Sequence, residues 1–416
     1  MKRTKGIEEN LEETRIVRKD FLVILFLLFN ALSWFYMMHV IVNTVLSDLN
    51  ATYEQNFIIW AVYSMAIIGS SVAGSILSKE LPRLNFIYVW MILGAVVSLM
   101  PAAFGILTVT HVLLLAILFG ISFGLGMPSC LAYFSDHTRV ENRGRRSGVT
   151  LAITNLTAPL FAVALSISNL QVNSIIFAAW RATGLIIFFL KPEEQSNLEN
   201  RRNGSFISVL HNRSFVLYFI AWLMFCLVDS FEWPVLRSFF GEFHYSIFIL
   251  GPLIASFSAL ITGVLSDHVG RKRMVLYGFV ALGIAYAVIS LFPHVSFSWY
   301  SYLVIDSIAT GILWVSFILI IWGDLSQPGT REEYYVIGET PYFLSDIIQL
   351  LSAPLVLIPA SSTFSLASLF LFLAVLPLLY APETLPEKKI ELRRLRKYVE
   401  AARKVKEKHK EKDAKG

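Results

Sequence analysis

The chain has 416 residues; 56% are hydrophobic, 14% aromatic and 16% charged, and the mean hydropathy is +0.62. Soluble domains average about 45–50% apolar and about 25% charged residues. The composition therefore excludes a soluble globular fold, a disordered chain and a disulfide scaffold, and leaves a polytopic membrane protein. The formal net charge of +5 fits either a nucleic-acid surface or basic membrane loops, and the positions of the charges decide between them.

Residues 1–20 mix Lys, Arg and Glu without an apolar core, so they do not read as a signal peptide and are expected to form a cytoplasmic tail. A helix needs ~20 apolar residues to cross a hydrocarbon core about 30 Å thick. In chain order the apolar runs predict spans over Phe21–Val45, Phe57–Leu77, Phe86–Phe104, Leu107–Phe134, Gly148–Ile167 and Val172–Leu190. Six more are expected over Phe215–Phe239, Tyr245–Leu265, Met274–Phe292, Trp299–Trp322, Val336–Ile358 and Phe364–Tyr380. The predicted fold class is an all-α membrane protein of twelve transmembrane helices in two six-helix bundles, 21–190 and 214–381. A cytoplasmic linker, 191–213, joins them, and a basic tail, 382–416, follows. Cys130 and Cys226 lie inside apolar runs without metal-ligand spacing and read as packing residues.

Of the 35 Lys and Arg residues, 33 fall in the two tails and in alternate loops. Arg237 alone lies in an opposite loop and Arg181 lies within a span. This asymmetry predicts both termini in the cytoplasm. The halves also echo each other. Ser78 and Ser266, and Asp136 and Asp324, stand at an offset of 188 residues, and Thr157-Ala158-Pro159-Leu160 recurs as Ser352-Ala353-Pro354-Leu355. Several matching landmarks signal an internal repeat, and a six-plus-six repeat with its site between the halves is a transporter architecture.

Between spans eight and nine lies Gly263-Val264-Leu265-Ser266-Asp267-His268-Val269-Gly270-Arg271-Lys272-Arg273. Gly suits a tight turn, and Asp267 can accept hydrogen bonds from a neighbouring helix start, where the dipole favours an anion. This segment resembles the signature loop of the major facilitator superfamily. The resemblance implies alternating access and a loop, with Gly263, Asp267, Gly270, Arg271 and Lys272, that clamps the cytoplasmic gate. The first-half copy departs from the pattern: Lys79 stands in the place of Asp267, and only Arg83 keeps its basic character. The clamp is therefore expected to lean on the second half. Arg143, in Glu141-Asn142-Arg143-Gly144-Arg145, resembles the family's loop after span four. Pro382-Glu383-Thr384 is similar to the tail signature of sugar porters, with Pro192-Glu193 as its half-repeat.

An ionisable group at the bilayer centre costs at least ~2.5–3.5 kcal/mol on insertion scales, which makes Arg181, Asp229, Glu232, Asp306, Glu339 and Asp346 functional candidates. Asp306 and Asp346 fall near mid-membrane by residue count. Asp306 is the first candidate for a proton or cation site, against a structural hydrogen bond to a neighbouring helix. Asp346 is the second. Glu339, one face with Asp346, is expected to contact the basic loops as a gate. Asp229 and Glu232 share a face near the outer end of span seven, where Pro234 is expected to break the helix. Arg181 could bind an anionic solute if it reaches the cavity, or could pair inside the bundle. Asn30, Trp34, Tyr36, Thr154 and Asn155 suit a polar organic solute or interhelical hydrogen bonds.

Residues 386–416 carry 13 basic and 6 acidic side chains with apolar residues at helical spacing, which predicts a cytoplasmic helix whose proximal part lies on anionic lipid and whose end frays, against a solvated charged tail. The tail supplies +7, so the remainder sums to −2, and nucleic acid is not expected as a partner. The partners expected are a small-molecule solute and the lipid bilayer, with the protein a monomer. Neither a cofactor nor a metal is expected. The predicted activity is secondary transport of a small organic solute across the cell membrane, with proton coupling, by symport of a sugar-like or organic-ion solute. The alternatives are a proton-coupled drug or metabolite efflux antiporter and a non-transporting sensor of the same fold. An enzyme is not expected.

Overall fold

The computed structural model describes residues 2–104, 107–166, 169–190 and 204–385. The expected lipid-binding tail helix, the Pro192-Glu193 half-repeat and most of the linker lie outside these residues. Among the described residues eleven helices are long and apolar enough to cross a membrane. They are α1 (Phe21–Asp48, continuing a helix that begins at Lys2), α2 (Tyr53–Glu80), α3 (Arg83–Ala103), α4 (Val109–Asp136), α5 (Val140–Leu165) and α6 (Leu170–Phe188). After the unlabelled short helix Phe206–His211 come α7 (Arg213–Phe240), α8 (Phe243–Val269), α9 (Arg271–Leu291) and α10 (Ser296–Leu325). Two shorter helices, α11 (Arg331–Phe343) and α12 (Ser345–Leu351), precede the last long one, α13 (Ala360–Tyr380).

Local chemistry sets several starts. Thr52 and Gln55 form a capping box on α2, Asn169 caps α6, and the Asn212 side chain accepts from Ser214 and Phe215 at the start of α7. The predicted span Val336–Ile358 is observed in pieces: α11, α12 and a 3-10 turn over Ala353–Leu357. Pro341 and Pro354 each remove a backbone donor from this stretch. Conversely α7 runs unbroken through Pro234, so the break expected there does not occur. Within α10, Val315–Ile321 winds as a π-helix, a rare wide turn that is frequent at functional sites.

Large apolar side chains such as Leu22, Met65, Ile186, Phe257 and Phe297 point outward. In water that surface would drive aggregation; in hydrocarbon it is solvated. The interior is packed with aromatic residues, among them Trp34, Trp90, Trp222 and Trp322. Two seams join the half before residue 191 to the half after it. One is α5 against α8, and the other is α2 against α11 and α12. In the first seam a Cβ on Gly263 would stand 2.6 Å from the Gly144 carbonyl oxygen and 2.9 Å from the Gly148 Cα. Gly263 therefore lies inside α8 and permits backbone contact between the halves, rather than forming the turn expected of it. The turn belongs to Gly270, whose φ of 114° excludes most side chains.

Candidate functional site

Helix ends gather at one end of the molecule, and their charges pair across the halves. Arg143 of α5 bonds Asp324 at the end of α10, and Arg331 of α11 bonds Asp136 at the end of α4. Each aspartate also holds an arginine of its own half: Asp324 with Arg271 at 3.2 Å, and Asp136 with Arg83. Arg83 reaches on to Glu332 at 2.5 Å, and Arg271 donates to the Val140 carbonyl at 2.6 Å. Removing one partner of the buried Arg143–Asp324 pair leaves an uncompensated charge, at ~3–5 kcal/mol.

Asp267 accepts from the backbone N–H groups of Gly144 (3.0 Å) and Arg145 (2.9 Å), near the start of α5, and pairs with Arg271 at 2.8 Å. A helix start favours an anion. In the place equivalent to Asp267, Lys79 pairs with Glu333 of α11. The first-half loop thus contributes two cross-half ion pairs, through Lys79 and Arg83, and the expectation that the clamp leans on the second half is corrected. The charge at this position is reversed, and its partner has reversed with it. Behind the layer Glu383 accepts from the Arg271 N–H at 2.7 Å and the Lys272 N–H at 3.2 Å, capping α9 where Gly270 has no side chain to do so. Lys272 Nζ donates to the Leu379 carbonyl at 2.8 Å.

Beyond this layer lies a cavity of about 430 Å³ between the halves. Residues of α1, α2, α4 and α5 face residues of α7, α8, α10, α11 and α12 across it. Asp229, Asp306, Glu339, Asp346 and Asn155 line it, as do Tyr36 and Thr154. His39, which sequence reasoning passed over, also lines it and bridges to Asp346, Nε2 to Oδ2 at 3.0 Å. The His39 ring stacks on Trp60 and meets the edge of Tyr63. Phe35 and Phe123 of the first half approach Phe343 of the second, with centroids 6.2 and 6.1 Å apart.

Four candidates do not line the cavity. Arg181, Asn30 and Trp34 meet inside the first half. Arg181 donates to Asn30 Oδ1 at 2.9 Å, and its guanidinium lies 4.6 Å from the Trp34 ring centroid and 4.1 Å from that of Trp90. Trp34 Nε1 donates to Ser98. Ring faces take the place of a carboxylate for this cation, which is fully buried and does not line the cavity. Glu232 is buried in the second half, beside Tyr286 and near Asp229 and Asp306, behind the cavity wall. Glu339 does not reach the basic loops; its Oε1 accepts from Trp322 Nε1 at 3.0 Å.

Sequence reasoning quoted Asp136 and Asp324 only as repeat landmarks and assigned no role to Arg331, Glu332 or Glu333. The common offset of 188 residues from Arg83 to Arg271, Asp136 to Asp324 and Arg143 to Arg331 was the signal that could have found the whole layer.

No curated protein matches the chain by sequence. Solved structures match its fold. The human organic anion transporter MFSD10 (TETRAN) is 14% identical with a TM-score of 0.69, over 87% of this chain and 99% of that one. The proton:xylose symporter XylE, bound to 6-bromo-6-deoxy-D-glucose, is 12% identical with a TM-score of 0.72, over 89% of this chain and 97% of that one. At such identities the likeness concerns the fold alone. The sequence profile of the Major Facilitator Superfamily matches residues 22–321, and with a match over most of its length this multi-pass membrane protein belongs to the Major Facilitator Superfamily.

Proposed function

We propose that the protein is a secondary active transporter that moves a small organic solute across the cell membrane by alternating access, with proton coupling. In this reading the chain crosses the bilayer twelve times in two pseudo-symmetric bundles, both termini are cytoplasmic, and α11 with α12 makes the crossing that no single long helix provides. The observation that carries the reading is the cavity between the halves with ion pairs between the halves at one end of it. Basic residues concentrate at that end, so the positive-inside rule makes it cytoplasmic, and the conformation is closed there.

Asp306 is the coupling carboxyl and Asp346 the second candidate. Both line the cavity, and protonation removes a charge that is costly at this depth. Asp267, Arg271 and Arg143 belong to the cytoplasmic gate, and Glu339 and Asp229 to the cavity wall. The test is uptake and efflux in proteoliposomes under an imposed pH gradient, with a panel of sugars, organic anions and organic cations. The expected result is gradient-driven movement of at least one class, lost in Asp306→Asn. Solute binding without flux across the whole panel would favour a sensor and overturn the reading.

A further inference from the structure

Within the transporter reading above, on which this rests, we infer that the cavity takes an organic cation with an aromatic or apolar body, a substituted ammonium, seated by Asp229 and Asp306.

The charges of the cavity carry the argument. Among its lining residues are four carboxylates and no lysine or arginine. Two of the four already have partners: Asp346 holds His39 at 3.0 Å and Glu339 holds Trp322 Nε1 at 3.0 Å. Among the described residues, no lysine or arginine lines the cavity beside Asp229 and Asp306. Asp229 on α7 and Asp306 on α10 line the same cavity. Two facing carboxylates repel an anionic solute and attract a cationic one. Among the described residues no three His, Cys, Asp or Glu side chains converge as metal ligands would, which favours an organic cation over a divalent metal.

The walls agree with the charge. Phe35, Phe123, Trp233, Trp314, Tyr342 and Phe343 line the same space. Aromatic faces beside carboxylates are the surroundings in which quaternary and substituted ammonium groups bind, because both the ring quadrupole and the carboxylate attract the cation. A separate observation points to a ligand. Asn155 is 5% exposed, lines the cavity and has an amide nitrogen without a hydrogen-bond partner among the described residues. The indole nitrogen of Trp314, also on the cavity, is in the same condition. Buried donors are normally paired, so a bound solute with an acceptor atom would complete them.

The experiment is equilibrium binding of benzyltrimethylammonium, a permanently charged probe, to the full chain in nanodiscs, with benzoate, xylose and sodium chloride as competitors. Saturable binding that resists benzoate, xylose and sodium, and weakens about tenfold or more in Asp229→Asn and in Asp306→Asn, is expected. Unliganded melting temperatures check that each variant is folded, and the competition arm stands without any variant. Absence of saturable binding, full displacement by sodium, or unchanged affinity in both variants overturns the inference. Flux is measured separately on the same preparation. Benzoate or xylose transport without probe binding would leave the transporter reading standing and remove this one; probe binding without flux of any solute would do the reverse.

Discussion

Asp136 and Asp324 stand 188 residues apart and make the same pair of contacts: each holds one arginine of its own half and one of the other half. The ion-pair layer is therefore built twice from one plan, and each copy ties the halves together through one carboxylate, buried at Asp324 and exposed at Asp136. Asp324→Asn strands Arg143 without its counter-charge and leaves Arg271 with Asp267 alone. The expected result is a loss of ~3–5 kcal/mol in the closed conformation, read as faster amide exchange over residues 135–147 while exchange in α13 is unchanged. Unaltered exchange at that end would deny the gate its ionic basis.

Lys79 and Glu333 replace the acid and helix start that Asp267 and Arg145 use in the other seam. Lys79→Glu puts two carboxylates together and should lower the melting temperature, whereas Lys79→Glu with Glu333→Lys should recover most of the loss. A double-mutant cycle is expected to give a coupling of ~0.5–3 kcal/mol. Additive effects would mean that the pair does not act as a unit.

Gly263 and Gly148 let α5 and α8 touch backbone to backbone, since a Cβ on Gly148 would stand 2.5 Å from the Ala259 carbonyl oxygen. Gly263→Ala must push the halves apart at the gate, at a cost of ~1–3 kcal/mol. Turnover should fall more than solute affinity, because the seam must close and open in each cycle. Equal effects on both, measured by flux and by binding, would show that the contact only supports the fold.

Arg181 is enclosed by Trp34, Trp90 and Asn30 rather than by a solute. Replacing this buried charge by an apolar side chain removes its desolvation cost and strands no counter-charge among the described residues. Arg181→Met should keep transport and hold or raise the melting temperature. Loss of transport from a folded Arg181→Met protein would return Arg181 to the solute path.

The long helices were legible because about 20 apolar residues in a row admit one structure in a bilayer. The stretch from Val336 to Ile358 is helical but in pieces, and the breaks were not legible because hydropathy does not register what Pro341 and Pro354 do to a helix. Residue count placed Asp306 and Asp346 near mid-membrane, but that they face the cavity is seen only in the structure. The partners of Arg143 and Arg331 were not legible either, because they lie 181 and 195 residues away and pairing at that range depends on how two bundles dock. Arg181 shows the same limit: a buried cation announces itself in sequence, but two tryptophan faces do not announce themselves as its partners.

The central claim is that the two halves exchange closure between the ends of the cavity. Its most direct measurement is electron–electron double resonance between spin labels at Arg139→Cys and Gln327→Cys at the ion-pair end, and at Ala51→Cys and Leu357→Cys at the other, with Cys130 and Cys226 buried and unlabelled. The account predicts a short distance at the ion-pair end in the resting protein. A longer population should appear there in Asp324→Asn, as the opposite pair of labels shortens. Distances that stay fixed at both ends, or that lengthen together, would contradict it.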